Sequence, residues 1–457
     1  MHLSHSILSL VLNQRRNTHH IAPANHRPAP LARRVSRSDS PVADALPSIQ
    51  VTPLPSFMPL DIPAIQALLR ERQIDAWLIH DFRGSNSVLT LLMGKSYTSR
   101  RAMLFIPARG TPTITCSLLD RNAFEKFAAS MGINVHLYIS WREMQSWMGS
   151  VLGLCKRVAM EYAPGCTLPV VSIVDAGTIE LVRSFGVEVV SSADVLQLTV
   201  ARWSEDALTM HHKASAEVAR IKDDAFAFIK SSLLAGNAIN EYQVQQRIMD
   251  NFRAAGLESE HGPIVGVNEH AGDPHFEVSA TNPSPIRKGD WVLIDLWSRY
   301  PGEENIFSDI TWVGYCGTTV PAKHRQVFEV VRAARDASVT CCQDAWKAKR
   351  ALQGWELDDA ARLTIINAGF EKGIRHRTGH SLSPGPRVHG LGFNLDNLET
   401  RETREVLPGL GFTIEPGIYL PEAPDRLGVR LEINMYIDAA KGPLITSCLQ
   451  DEIVLCG

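Results

Sequence analysis

The sequence predicts an α/β domain over residues 58–200 followed by an α+β domain over residues 201–457, behind a basic tail at residues 1–57. Three observations predict this. A chain of 457 residues is long enough for two cores. Between Leu60 and Val200, short β-rich runs alternate with helical periods. After Arg202, long amphipathic stretches come in pairs, separated by strand runs that each carry one charged residue. Apolar residues at 45% and charged residues at 21% are those of a globular protein. A formal net charge of -3 gives no reason to expect nucleic acid as a partner. No apolar run approaches the roughly 20 residues that cross a bilayer, so no membrane partner is expected. The eight cysteines are scattered without a Cys-x-x-Cys pair, which predicts reduced, buried thiols.

The tail holds Arg15, Arg16, Arg27, Arg33, Arg34 and Arg37 and no acid before Asp39. Its apolar piece, Ile7 to Leu12, precedes the basic residues, the reverse of a secretory signal. It reads as a disordered tail, an overlong gene start or an organelle transit peptide. Order is expected from near Leu60. Asp61 caps a helix with Pro63 in its first turn, and Ile65, Leu68 and Leu69 share one face. Residues 75–79 form a strand, and Arg101 to Cys116 a hairpin turning at Gly110. A helical stretch begins near Asp120, and residues 157–161 form a strand. A helix from Asp175 to Phe185 and a strand from Val187 to Val190 complete this domain. It contains no phosphate loop and no cluster of acids, histidines or thiols, so an architectural role is expected.

In the second domain Ser204 opens a long helix with Val218, Ile221, Ala225, Phe228 and Ile229 inward. A helix from Glu241 to Ala255 places Val244, Ile248 and Phe252 four residues apart. The run Gly289 to Gly314 reads as two strands joined by a Pro301–Asn305 turn, with Asp295 in one strand and Asp309 in the other. Helices from Pro321 to about Lys349 and Glu356 to about Ala368 follow. Strands return over Gly411–Tyr419 and Gly428–Ile437, and one sheet is expected to gather them all.

A carboxylate among apolar neighbours is costly unless paired or bound to a cation. Asp295, Asp309, Glu415 and Glu432 each sit in such a run, and Arg375 to Ser383 supplies His376 and His380. Singly, each has an ordinary explanation as a cap, an edge residue or an arginine's partner. Together, four carboxylates and an imidazole suit divalent Mn, Co, Zn or Fe. Two ions balance four carboxylates better than one, and can share a water made nucleophilic near neutral pH.

With their surroundings, these residues resemble the pita-bread metallopeptidases (M24-type). That family includes Xaa-Pro aminopeptidase, Xaa-Pro dipeptidase (prolidase), methionine aminopeptidase and the metal-free creatinase. The motifs are Leu-Ile-Asp295, Ser-Asp309-Ile-Thr, Gly-His380-Ser, Ile-Glu415-Pro-Gly and Val-Arg-Leu-Glu432. The resemblance runs from about Leu60 to the C-terminus. It implies a creatinase-type N-terminal domain before a pita-bread catalytic domain, and two divalent metal ions with manganese foremost. It implies that Asp309 and Glu432 bridge the ions, that Asp295 chelates one, and that His380 and Glu415 hold the other. Glu415 would also shuttle a proton beside a bridging hydroxide. By the same resemblance His275, His389 and His376 face the substrate, and Arg430 supports a ligand carboxylate. The implied activity is hydrolysis of the Xaa-Pro bond of short peptides by a cytoplasmic homodimer. The N-terminal domain favours this over methionine aminopeptidase. Two other functions stay open: a family hydrolase or lyase acting on a non-peptide small molecule, and a non-catalytic protein-binding module.

The chain departs from the family pattern at several places. Asp295 and Asp309 are further apart than usual, and the loop from His380 to His389 is longer. Leu296-Trp297 stands where a small residue and glycine are usual, Trp312 where arginine is common, and Ile433 where aspartate is common. Trp297 and Trp312 are both expected to reshape the pocket.

Overall fold

The computed structural model describes residues 61–93, 98–422 and 424–457. The tail at 1–57 lies outside the described residues. Asp61 accepts a hydrogen bond from the Ala64 amide and so caps α1 (Ile62–Glu71), which buries Ile65, Leu68 and Leu69 as expected. A six-stranded sheet follows: β1 (Ala76–Phe82), β2 (Arg101–Pro107), β3 (Thr113–Ser117), β4 (Asn134–Tyr138), β5 (Arg157–Met160) and β6 (Glu188–Ser191). Their order is β4-β3-β2-β1-β5-β6. Along β1, Trp77 and Ile79 enter one core cluster while Ala76 and Leu78 enter another. Both faces are therefore covered, which is why the strand is apolar without alternation.

Helices α2 (Ser87–Met93), α3 (Arg121–Met131), α4 (Trp141–Leu152), α5 (Ala176–Arg183) and α6 (Ala193–Thr199) lie between and after these strands. The single helical stretch expected from Asp120 is in fact helix, strand and helix. Gly132 ends α3 at φ 65°, and Ser140 with Glu143 makes a capping box that starts α4. Both stop and start signals are legible in the sequence.

Ser204 caps α7 (Glu205–Ala235), which buries Val218, Ile221, Ala225 and Ile229. Phe226, rather than Phe228, turns inward with them. Asn240 and Gln243 box the start of α8 (Glu241–Ala254), whose buried side carries Val244, Ile248 and Phe252. Three strands follow: β7 (Ile264–Val267), β8 (Trp291–Ser298) and β9 (Ser308–Tyr315). A second helix pair, α9 (Ala322–Lys347) and α10 (Gly354–Asn367), precedes β10 (Ser381–Leu382), β11 (Gly411–Ile414) and β12 (Gly417–Leu420). The chain ends with β13 (Leu427–Arg430), β14 (Ile433–Asp438), β15 (Gly442–Ile445) and β16 (Val454–Leu455).

These later strands do not form one sheet. They make two four-stranded sheets, β16-β9-β8-β7 and β10-β11-β14-β15, and a β12-β13 ribbon. The expected single strand from Gly411 to Tyr419 breaks at Glu415-Pro416, where proline lacks the amide a ladder needs. The expected strand Gly428–Ile437 breaks at Leu431-Glu432. Both breaks fall at a charged residue expected in the site. Asn434 joins the sheets: its Oδ1 accepts the Asp309 amide at 3.0 Å and its Nδ2 donates to the Asp309 carbonyl. The Glu432 amide donates to the Thr311 carbonyl at 3.2 Å.

Candidate metal centre

In the β8–β9 ladder Asp295 lies opposite Thr311 and Trp297 opposite Asp309. Opposed residues share a face and alternate residues return to it. Asp295, Trp297, Asp309 and Thr311 therefore stand on one side. Ile294, Leu296 and Ile310 stand on the other, in the core beneath α7. The fixed contacts of Asn434 and Thr311 bring Glu432 against Asp309. His380 arrives through Gly379, where a Cβ would lie 2.2 Å from the Thr413 carbonyl oxygen. Only glycine allows that approach. The His380 amide then donates to Thr413 Oγ1 at 3.0 Å, and the Glu415 amide donates to the Thr378 carbonyl at 2.7 Å.

The result is a floor of five donors. Asp309, His380 and Glu432 offer ligand atoms that all lie within 4.8 Å of one another. His380 Nε2 is 3.5 Å from both Asp309 Oδ2 and Glu415 Oε1. Asp295 stands beside them through Thr311, whose Oγ1 is 3.1 Å from Asp295 Oδ1 and 2.8 Å from Glu432 Oε2. Arg430, also buried, donates to Asp295 Oδ2 and, at 2.8 Å, to Thr311 Oγ1.

This floor fits a divalent cation. Asp309 Oδ1 and Glu432 Oε1 are buried and have no hydrogen-bond partner. His380 Nδ1 faces the Ser381 carbonyl at 3.1 Å, so it carries the ring proton. The Nε2 lone pair is then left facing two carboxylates, at a spacing too long for good hydrogen bonds. Burial pushes Asp309 and Glu432 well above the usual carboxylate range, and neighbouring carboxylates add to it. Asp295 is raised by burial against the pull of Arg430. Glu415 is pushed up to about 7 by burial, again with Arg430 opposing. One arginine cannot balance four carboxylates, three of them buried. Cations can.

The floor opens into a cavity of about 870 Å³ whose lining includes His275, His376, His389 and Trp297. The His389 ring lies against His380, centroids 3.9 Å apart. His376 Nε2 is 2.7 Å from the Tyr419 hydroxyl. Burial and the nearby Arg430 hold that imidazole down at about 3, neutral at pH 7. All the sequence-predicted site residues are thus gathered around one cavity.

Trp312 is not among its walls. It sits one residue out of phase with Asp309 and Thr311, so it faces α7, with Lys222 Nζ 3.4 Å above its ring. The expectation that it reshapes the pocket is corrected by strand alternation alone. Sequence reasoning also missed three residues. Thr311 was legible, two residues after Asp309 and hence on its face. Tyr419 is a lone hydroxyl in the apolar run after Glu415-Pro-Gly, and it also meets Arg430 Nη1 at 3.3 Å. Glu260, which accepts the Val388 amide and lines the cavity, carried no local signal.

Among the described residues no helix is long and apolar enough to cross a membrane. Residues 211–439, half of the chain, match the model of metallopeptidase family M24. The chain is 26% identical over 358 residues to a probable dipeptidase PepE of Mycobacterium tuberculosis, covering 78% of this chain and 86% of that protein. It is 30% identical over 207 residues to an Xaa-Pro dipeptidase of Lactobacillus helveticus, covering 45% and 49%. The crystal structure of dipeptidase PepE from Mycobacterium ulcerans superposes with a TM-score of 0.67 at 24% identity, covering 86% of this chain and 96% of that one. The prolidase from Pyrococcus horikoshii OT3 superposes at 0.57 with 22% identity, covering 86% and 99%. The pita-bread architecture, the acidic floor suited to divalent ions and the family match agree: the chain belongs to metallopeptidase family M24, as a metalloexopeptidase.

Proposed function

We propose that the chain hydrolyses the Xaa-Pro bond of Xaa-Pro dipeptides or at the N-terminus of short peptides, using two divalent ions. The observation that supports this most is the pair of buried, unpartnered oxygens, Asp309 Oδ1 and Glu432 Oε1, beside the His380 Nε2 lone pair. Asp309 and Glu432 would be shared between the ions, Asp295 would serve one, and His380 with Glu415 the other. A donor set of four carboxylates and one imidazole favours manganese, with cobalt, zinc or iron as alternatives. Ions held there would acidify a water molecule and polarise the scissile carbonyl.

The remaining work falls to side chains. Glu415 takes the proton from the attacking water and returns it to the leaving nitrogen. His275 and His389, on the cavity wall, donate to the oxygen on which negative charge develops. His376, kept neutral and held by Tyr419, positions the same wall. Arg430 orients Asp295 and Thr311. That similar proteins are named dipeptidases supports two-residue substrates for this chain.

Metal-stripped protein reloaded with Mn is the test. Turnover of an Xaa-Pro dipeptide or an Xaa-Pro-Xaa tripeptide, lost again on chelation, is expected, with more than one ion per chain by elemental analysis. Fewer than one ion per chain together with no peptide turnover would overturn the reading.

A further inference from the structure

We propose that Trp297 selects the side chain of the substrate's N-terminal residue, admitting small ones and excluding bulky ones; this rests on the exopeptidase reading above. β8 places Trp297 two residues after Asp295 and directly across from Asp309, and the side chain lines the cavity. In an Xaa-Pro substrate the scissile carbonyl carbon is bonded to the α-carbon of the first residue, and cleavage at this site places that carbonyl over those carboxylates. The side chain on the same carbon lies within a few bond lengths of it, so it must pass the indole.

The strand that carries the indole is anchored. Its strand neighbours Leu296 and Ser298 are fully buried. Ser298 Oγ donates to the Glu258 carbonyl at 2.9 Å. Arg299, two residues on, is tied to the Glu258 carboxylate at 2.9 Å and to the carbonyls of Asn305 and Gly385 at 3.0 and 2.6 Å. The backbone under Trp297 is therefore fixed to three separate segments. The indole Nε1 is closed off from solvent and has no hydrogen-bond partner. No hydrogen bond holds the ring, so bulk, and not a polar contact, sets what fits beside it. Phenylalanine should serve nearly as well, whereas a small residue should open the wall.

A poorly fitting methylene typically changes selectivity by about 10- to 200-fold. Wild-type protein loaded with Mn should therefore favour Ala-Pro over Leu-Pro and Phe-Pro by at least about tenfold in kcat/KM. Trp297→Ala should abolish or reverse that order, and Trp297→Phe should keep it. Trp297→Val, whose β-branched side chain suits a strand, repeats the test should the alanine loosen β8. Calorimetric titration with free L-alanine and L-leucine supplies a readout apart from turnover. The alanine and valine variants should gain affinity for leucine relative to alanine by about tenfold. An unchanged order in both measurements would overturn the inference. If no peptide is turned over by metal-loaded protein, the exopeptidase reading fails, and the titrations alone decide whether Trp297 is the filter.

Discussion

Arg430→Met should destabilise the metal-free protein far more than the metal-loaded one. Arg430 is 5% exposed and is the one cation among the four carboxylates of the cavity floor, of which Asp295, Asp309 and Glu432 are buried. It bonds to Asp295, to Thr311 Oγ1 at 2.8 Å and to the Tyr419 hydroxyl at 3.3 Å, and Glu415 Oε2 stands 3.9 Å from its Nε. Breaking a buried ion pair by removing one partner typically costs about 3–5 kcal/mol. Asp295 can limit that cost by taking up a proton, since burial already raises it against the pull of this arginine. About 3 kcal/mol is therefore the expected loss with chelator at pH 7. With saturating Mn the ions take over the balancing charge. What remains is the loss of hydrogen bonds from a charged donor, about 1.5 kcal/mol. Urea unfolding of wild type and variant, each with chelator and with Mn, measures both differences. Arg430→Lys, which keeps the charge but not the planar fork, should fall between them. Equal losses with and without metal would refute the claim that Arg430 and the ions share one electrostatic task.

Glu415→Gln should lower kcat by at least about 10²-fold, the scale of general acid–base work, while elemental analysis still finds bound metal; near-normal turnover would sink the proton-shuttle role. His389→Ala should lower kcat by about 10²–10³-fold, the scale for one oxyanion donor, with metal content unchanged. Acid stability should depend on His211, which is fully buried between the Phe307 carbonyl and Thr446 Oγ1. Burial, then the neighbouring His212, hold it down at about 3, against an ordinary 6.5. Between these values the unfolded chain binds a proton that the folded chain does not, so stability rises with pH there. The contribution is complete above 6.5 and is lost on acidification by about 1.4 kcal/mol per pH unit. His211→Gln should flatten that slope in unfolding curves taken at pH 7, 6 and 5, and an unaltered slope would refute the assignment.

The sequence was most legible where a local rule had no competitor. Ser204 and Asp61 announce their helices because a side-chain oxygen at the cap has one amide to satisfy. The charged residues of the floor were legible because each interrupts an apolar run. What could not be read was which strands share a sheet. The breaks at Pro416 and Leu431 divide two long apolar runs between sheets, and periodicity within a run does not record its partner. Alternation, applied strictly, would have put Trp297 on the site face and Trp312 behind it. Glu260 escaped notice because its partner, the Val388 amide, is distant in sequence, and no local pattern encodes such a contact.

Floor and rim differ in how they are held. Asp295, Asp309 and Glu432 are on or beside paired strands, and Asn434 and Thr311 fasten those strands to one another. Their positions follow from ladder geometry, so substitutions elsewhere will not readily move them. His275, Arg387 and His389 stand outside the strands, so the length of the segments that carry them can change without shifting the strand positions of Asp295 and Asp309. Trp297 breaks this division. It is the aromatic wall set on a strand of the floor itself, where its backbone is as fixed as that of Asp295. A selectivity element on a loop can adapt to its substrate. One on this strand can only admit or exclude, which is why changing its bulk should alter the order of preferred substrates and leave the chemistry in place.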